Sequence, residues 1–217
     1  IEDANPTPPT FPFLCLTVSG GHTMIVLVKD YFDMEIIGKT IDDAAGEAFD
    51  KIGKIFDLDY PAGPIVDRLA KDGNPDAFKF NKPKMGAYDY SFSGIKTSVL
   101  YFIQKEVRKD PDFIKDNLND LCASVQKSII EILMDKLEKA SVELNVNDIA
   151  IAGGVSANSG LRKAMEYNRE KLGWNIFIPK FEYTTDNAAM IAMVAKLKYE
   201  RGEFTDIRTT ATAKYDL

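Results

Sequence analysis

The sequence predicts an α/β protein built around one mixed five-stranded sheet. Three short β-rich runs joined by tight turns come first, and after two long stretches of helical period the chain returns to a β-α-β-α alternation. Composition agrees: 45% hydrophobic and 28% charged residues are ordinary for a globular chain and exclude disordered, collagen-like and coiled-coil classes. No apolar run approaches the ~18–20 residues that a membrane helix needs.

Each element has its own signal. Phe13–Val18 is an apolar run, Ser19-Gly20-Gly21 turns the chain, and Thr23–Val28 is a second β-rich run, so the pair reads as a hairpin. Met34–Ile37 adds a third strand. From Ile41 to Phe56 the period changes, and Ala45, Ala48, Phe49, Ile52, Ile55 and Phe56 fall on one helical face. Pro61-Ala62-Gly63-Pro64 breaks the chain before a short helix at Ile65–Ala70. Asp72–Asp89 is polar and reads as a surface excursion.

Ser93–Lys109 and Leu118–Leu144 have helical spacing and are expected to pack on each other as a helical insert over about 90–145. Asp148–Ala152 is a buried strand, followed by a helix from about Ser156 to Lys171, a strand at Asn175–Ile178 and an apolar helix over Asp186–Arg201. A three-strand meander followed by two strand–helix units is the order of a ribonuclease-H-like layer, which actin, Hsp70 and sugar kinases each contain twice. Here it is found once, over residues 11–217. Ile1–Thr10, with three prolines and no initiator Met, reads as a linker, which suggests a fragment of a longer polypeptide.

Charge and rare residues narrow the function classes. Lys and Arg number 27 against 33 Asp and Glu, a net charge of −6, which argues against this chain alone holding nucleic acid electrostatically. Cys15 and Cys122 lie in apolar runs without metal-type spacing and are expected to be buried thiols of a reducing compartment. His22 is the single histidine, so a site with two imidazoles needs residues from elsewhere.

Five segments can carry chemistry, and each has a plain structural reading beside it. Glycines in Ser19-Gly20-Gly21-His22-Thr23 let backbone N–H groups approach an anion, or simply make a hairpin turn. Sugar-kinase-type phosphotransferases carry an acidic residue in this turn to organise magnesium; here the residue is Ser19, which weighs against kinase chemistry. Asp43, Glu47 and Asp50 form an acidic stripe that Lys54 continues: either a solvated face, or a site where Asp50 accepts ribose hydroxyls.

Gly153-Gly154-Val155-Ser156-Ala157-Asn158 joins a strand to a helix. Asn158 suits an adenine edge or ribose, and equally suits an N-cap. Asp186 reads as an N-cap or first-turn residue, and one carboxylate is a weak metal argument. In Ser91-Phe92-Ser93-Gly94-Ile95-Lys96-Thr97, Lys96 either meets an anion or belongs to an ordinary helix start.

Taken in order, SGGHT at Ser19–Thr23, DDAAGEAFDK at Asp42–Lys51, DYPAGP at Asp59–Pro64, SFSGIKT at Ser91–Thr97, GGVSAN at Gly153–Asn158 and TTDNAAMIA at Thr184–Ala192 resemble the tRNA adenosine threonylcarbamoyltransferases, formerly labelled O-sialoglycoprotein endopeptidases or glycoproteases. The resemblance runs from about Phe11 to Arg201 and departs mildly at Ala62, where glycine is usual. It implies a cytoplasmic tRNA-modifying enzyme. Such an enzyme moves a threonylcarbamoyl group from threonylcarbamoyl-adenylate to the adenosine beside the anticodon.

By the same resemblance Thr17, Val18, Ser19, Gly20, Gly21, Asp50, Gly63, Asp67 and Asn158 contact the adenylate-type ligand. The turn lies near phosphate, the two aspartates near ribose and Asn158 near the nucleoside. Asp186 matches a carboxylate ligand of one divalent iron or zinc ion, whose two histidines belong to an H-x-x-x-H pattern in the absent N-terminal part. Implied partners are tRNA and, in bacteria, a paralogous subunit and a P-loop ATPase, with no membrane. The chain is then expected to be the C-terminal lobe, inactive by itself and prone to self-association. A metalloprotease, the older label, would need a metal-bound water and a general base such as an H-E-x-x-H helix supplies, and none is present. A non-catalytic actin-like nucleotide-binding module is the third class.

Overall fold

A computed structural model describes residues 8–83 and 85–211. Strands β1 (Phe13–Val18), β2 (Thr23–Asp30) and β3 (Asp33–Lys39) form an antiparallel meander, and β4 (Asp148–Ala152) and β5 (Asn175–Phe177) add parallel strands beyond β1. The sheet order is β3-β2-β1-β4-β5, as expected for the ribonuclease-H-like class. β1 therefore lies centrally, pairing Val18 with Thr23 on one side and Leu14 with Ile149 on the other.

Alternation along β1 sends Leu14, Leu16 and Val18 into the main core, where they are fully buried. Each such side chain contributes roughly 1.5–3 kcal/mol by leaving water. Phe13, Cys15 and Thr17 point to the opposite face and are only half-buried. Strand alternation places Cys15 on the face away from the main core, where the residue is half-buried but burial still pushes its thiol up; Cys122 is buried in the core, and burial pushes its thiol up to about 12.

Helices α1 (Ala45–Ile55) and α2 (Ala62–Leu69) cover the core face together with α3 (Ser93–Val107) and α5 (Leu118–Leu144); α4 (Phe113–Asp116) is a single turn between the last two. The insert is not a separate hairpin. α3 packs on α1, while α5 packs on α2 and on α6 (Ser159–Leu172), so both join the main core instead of chiefly pairing with each other. The apolar stripe of α5 is satisfied by the nearest open apolar surface, and the fold brings α2 and α6 there.

Helix boundaries follow capping. α1 begins at Ala45, four residues later than its period alone implies, because Thr23 Oγ1 accepts from Ala45 N at 2.8 Å. Asp42 is instead drawn to α3, accepting from Phe92 N at 2.8 Å and Ser93 Oγ at 2.7 Å. α5 ends on Asn145 in the left-handed region, a conformation Asn tolerates. Beyond it Trp174 Nε1 donates to Ser141 Oγ at 2.8 Å.

The excursion after α2 is pinned by buried Phe80 and by Phe78 against Phe102 and Phe113. Thr10, the last residue of the expected linker, is tied to Asp148 through its N–H and hydroxyl, both at 2.7 Å; residues 1–7 lie outside the described part. α7 (Ala188–Glu200) contributes no buried residue; its far end meets the β2–β3 turn, with Arg201 and Lys198 over Phe32. No described helix is long and apolar enough to cross a membrane.

Candidate functional site

The site is assembled from segments far apart in sequence that meet at the end of β1. Ser19 closes the β1–β2 turn: its Oγ accepts from Gly21 N at 3.2 Å and from His22 N at 2.9 Å, and its N–H donates to His22 O at 2.8 Å. Gly20 and Gly21 are exposed, and a Cβ on either would meet nothing within 4 Å. Space, not strain, accounts for the access they leave to the backbone. Gly46 at the start of α1 donates to Ser19 O at 3.1 Å, and a Cβ there would stand 2.7 Å from that oxygen. The first turn of α1 is therefore pressed against the loop.

Gly153 closes the other side. Its φ is +90°, and a Cβ would lie 2.3 Å from Val18 O, so only glycine lets the β4–α6 loop reach the end of β1. Gly154 beside it is exposed with open space around it. Val18 itself is buried, so it offers the site backbone alone; the Thr17 side chain lies on the opposite sheet face, its Oγ1 3.8 Å from Cys15 Sγ.

The two aspartates fasten helix starts and leave acceptor capacity over. Asp50 Oδ1 accepts from Ala62 N at 2.7 Å, capping α2, and Gly63 follows in that first turn. Asp50 is thus more than one charge on a solvated stripe. Asp67 Oδ1 accepts from Ser159 N at 3.1 Å and Ser159 Oγ at 2.7 Å, joining α2 to α6. Among the described residues each carboxylate uses only Oδ1. Asp43 and Glu47 pair with Lys51 at 2.7 and 2.8 Å, and Lys96 lies 3.8 Å from Asp43, so these charges are taken up within the α1–α3 surface.

Asn158 is the N-cap of α6, its Oδ1 accepting from Leu161 N at 3.0 Å, while its Nδ2 donates to Gln126 Oε1 at 2.7 Å. The capping bond and the Gln126 bond together fix which end of the amide is which. One N–H and one lone pair remain. The contacts close a ring: turn to α1, α1 to α2 through Asp50, α2 to α6 through Asp67, and the β4–α6 loop back to β1 through Gly153.

Asp186 stands outside this ring. It is exposed, and the cap of α7 is its neighbour Asn187, whose Oδ1 accepts from Met190 N at 3.1 Å. The side chain one residue later has the reach to the first free N–H groups, which corrects the expectation that Asp186 caps or begins the helix. Among the described residues no group of three or more His, Cys, Asp or Glu side chains could hold a metal ion. Asp186 can supply one carboxylate, and the donors among the described residues do not make a metal site.

For three residues that build the rim, little or nothing in the sequence points to their partners. Gln126 was signalled only by a polar residue inside the apolar run of α5, and Ser156, fully buried beneath the loop with no partner for its Oγ among the described residues, only by its motif. Arg162 gave no signal. Its Nε donates to Ser156 O at 2.9 Å and its Nη2 to Pro179 O at 2.8 Å.

Comparison with known proteins agrees with this arrangement of motifs. Residues 1–193 match the TsaD family, described as tRNA N6-adenosine threonylcarbamoyltransferase. A protein of that description from Riemerella anatipestifer is 79% identical over all 217 residues, which span 64% of its length. One from Christiangramia forsetii is 57% identical over 99% of this chain and 63% of its own length. One from Thermosipho africanus is 50% identical over 90% of this chain and 58% of its own. The chain thus spans less than two thirds of the length of these relatives. With the family model covering residues 1–193 and relatives this similar over the whole chain, it belongs to the tRNA N6-adenosine threonylcarbamoyltransferase family.

Proposed function

We propose that this chain is the adenylate-holding lobe of an enzyme that transfers a threonylcarbamoyl group from threonylcarbamoyl-adenylate to the amino nitrogen of the adenosine 3′ of the anticodon in tRNA. The observation that carries this reading is the closed ring of contacts around the end of β1. It leaves one oxygen each of Asp50 and Asp67 without a partner among the described residues. In the reaction the adenosine amino nitrogen attacks the carbamoyl carbon and loses a proton. The bond from that carbon to the phosphate oxygen breaks, and AMP leaves.

This lobe's part is to hold the leaving group. The free Oδ2 atoms of Asp50 and Asp67 accept ribose hydroxyls, the exposed Gly20–Gly21 backbone faces phosphate, and the spare N–H and lone pair of Asn158 read the nucleoside. Gly63 and the backbone of Thr17 and Val18 shape the surface around them. Oriented binding of this kind lowers the barrier by removing the entropy of bringing the reactants together.

An iron or zinc ion in the full-length enzyme belongs to the same reading, with Asp186 as one donor and two histidines from outside this chain. Because the donors here do not suffice, no step is assigned to it. tRNA, a paralogous subunit and a P-loop ATPase are the proposed partners, the cytoplasm the proposed compartment, and self-association of the isolated lobe follows from its exposed α7. The test is calorimetry of this chain with AMP beside a transfer assay of the full-length enzyme on unmodified tRNA. One wall covers only part of a nucleotide, so binding to the chain alone is expected to be weak. Submicromolar affinity lost in Asn158→Ala would show that one lobe suffices. Full activity of Asp50→Ala and Asn158→Ala in the complete enzyme would overturn the assignment.

A further inference from the structure

We propose that Arg162 is a positioning residue that makes the β4–α6 loop and the 179–187 segment one mechanical unit, so that occupancy of the loop is felt at Asp186. The proposal rests on the adenylate reading above for its ligand, and on geometry alone for the clamp.

Arg162 lies in the first turn of α6, and its planar fork spans two segments. Nε binds the carbonyl of Ser156 at 2.9 Å, Nη2 binds that of Pro179 at 2.8 Å, and the guanidinium carbon stacks 4.0 Å from the centre of the Phe181 ring. No carboxylate pairs with it among the described residues. A cation near a helix N-terminus is disfavoured by the helix dipole. Its half-buried placement is sustained by two carbonyl acceptors and an aromatic face. A lysine ammonium has no planar fork with which to serve both carbonyls at once.

From Phe181 the order is passed along the chain by short bonds. Thr184, buried, donates its hydroxyl to Phe181 O at 2.8 Å, and two residues later comes Asp186, then the cap Asn187. α7 buries no residue of its own, and its other anchor is at the far end, where Arg201 approaches Asp30 at 3.9 Å. Near Asp186, Arg162 is therefore a side chain that joins this segment to the loop carrying Gly153 and Asn158.

The test is hydrogen–deuterium exchange of the 217-residue chain, wild type against Arg162→Met and Arg162→Lys, free and with millimolar AMP. The clamp predicts about tenfold faster exchange over 180–187 in Arg162→Met, with exchange in β1 and β4 unchanged and Arg162→Lys between the two. It also predicts that AMP slows exchange over 180–187 in wild type but not in Arg162→Met, a response that a merely structural arginine would not remove. Wild-type exchange over 180–187 in Arg162→Met overturns the proposal, as does an AMP response that survives the substitution. If wild type shows no response to AMP, the activity of Asp50→Ala and Asn158→Ala in the full-length enzyme decides the adenylate reading, and the free-state comparison still decides the clamp. Should Arg162→Met not fold, Phe181→Leu, which removes only the stacking partner, is expected to give a smaller loosening in the same place, and its absence overturns the proposal.

Discussion

Replacing Gly153 by alanine isolates the contact on which the site's assembly depends. Gly153 holds φ +90° and ψ 167°, a region almost confined to glycine. An added Cβ would stand 2.3 Å from Val18 O and 2.8 Å from Val18 C, both backbone atoms of a central strand paired on each side. Neither can give way as a flexible side chain would. The backbone conformation costs about 1–3 kcal/mol for a non-glycine residue. Overpacking against fixed atoms adds about 1–3 kcal/mol more. A loss of about 2–6 kcal/mol is a large share of the ~5–15 kcal/mol that holds a typical domain folded. In a chain of this length it lowers Tm by at least about 4 °C.

Urea unfolding followed by the fluorescence of Trp174, the single tryptophan and a buried one, gives the midpoint and the slope together. Gly154→Ala is the control: no atom lies within 4 Å of its Cβ position and its φ is unremarkable, so its stability should stay within about 0.5 kcal/mol of wild type. If Gly153→Ala and Gly154→Ala unfold at the same midpoint with the same slope, the loop is not held against Val18 and the argument for a shared rim fails.

Asn158→Ala removes the cap of α6 and strands buried Gln126, and is expected to cost about 2–4 kcal/mol. Asn158→Asp keeps the cap and lets the Gln126 amide turn round to donate, so denaturant midpoints should fall in the order wild type, Asp, Ala. Burial pushes the Asp148 carboxyl up, but bonds from Asn175 and from the N–H and hydroxyl of Thr10 outweigh it and hold the group below the usual range. A lowered folded-state value means this stabilisation is complete above about pH 4 and is lost as pH falls through the lower value. Urea midpoints between pH 6 and 2.5 should therefore fall more steeply for wild type than for Asp148→Asn. Asp186 is exposed and makes no cap, so Asp186→Ala should leave the midpoint within about 0.5 kcal/mol. Elemental analysis of the isolated chain should find far less than one iron or zinc per molecule, and one tightly held ion would mean that the donors have been misplaced.

The sheet and its order of elements were legible in local sequence. Alternation in Phe13–Val18, the glycine pair before Thr23 and the apolar period of Leu118–Leu144 are local signals, written within a few residues of the structure they specify. Local sequence also held the motifs, because glycines and small polar residues at strand exits are visible without knowing what lies opposite. Which neighbours those residues have is set by the folded chain. That Asp50 caps α2, that Asp42 leaves its own helix to cap α3, that Cys15 faces away from the core and that α5 packs on α2 and α6 all depend on segments distant in sequence. So does the rim: Gly153 meets Val18, Asp67 meets Ser159, and Asn158 meets Gln126 across separations of 135, 92 and 32 residues. A helix period says that a face is apolar, whereas a polar side chain's partner is fixed by geometry that closes only when the whole sheet is in place.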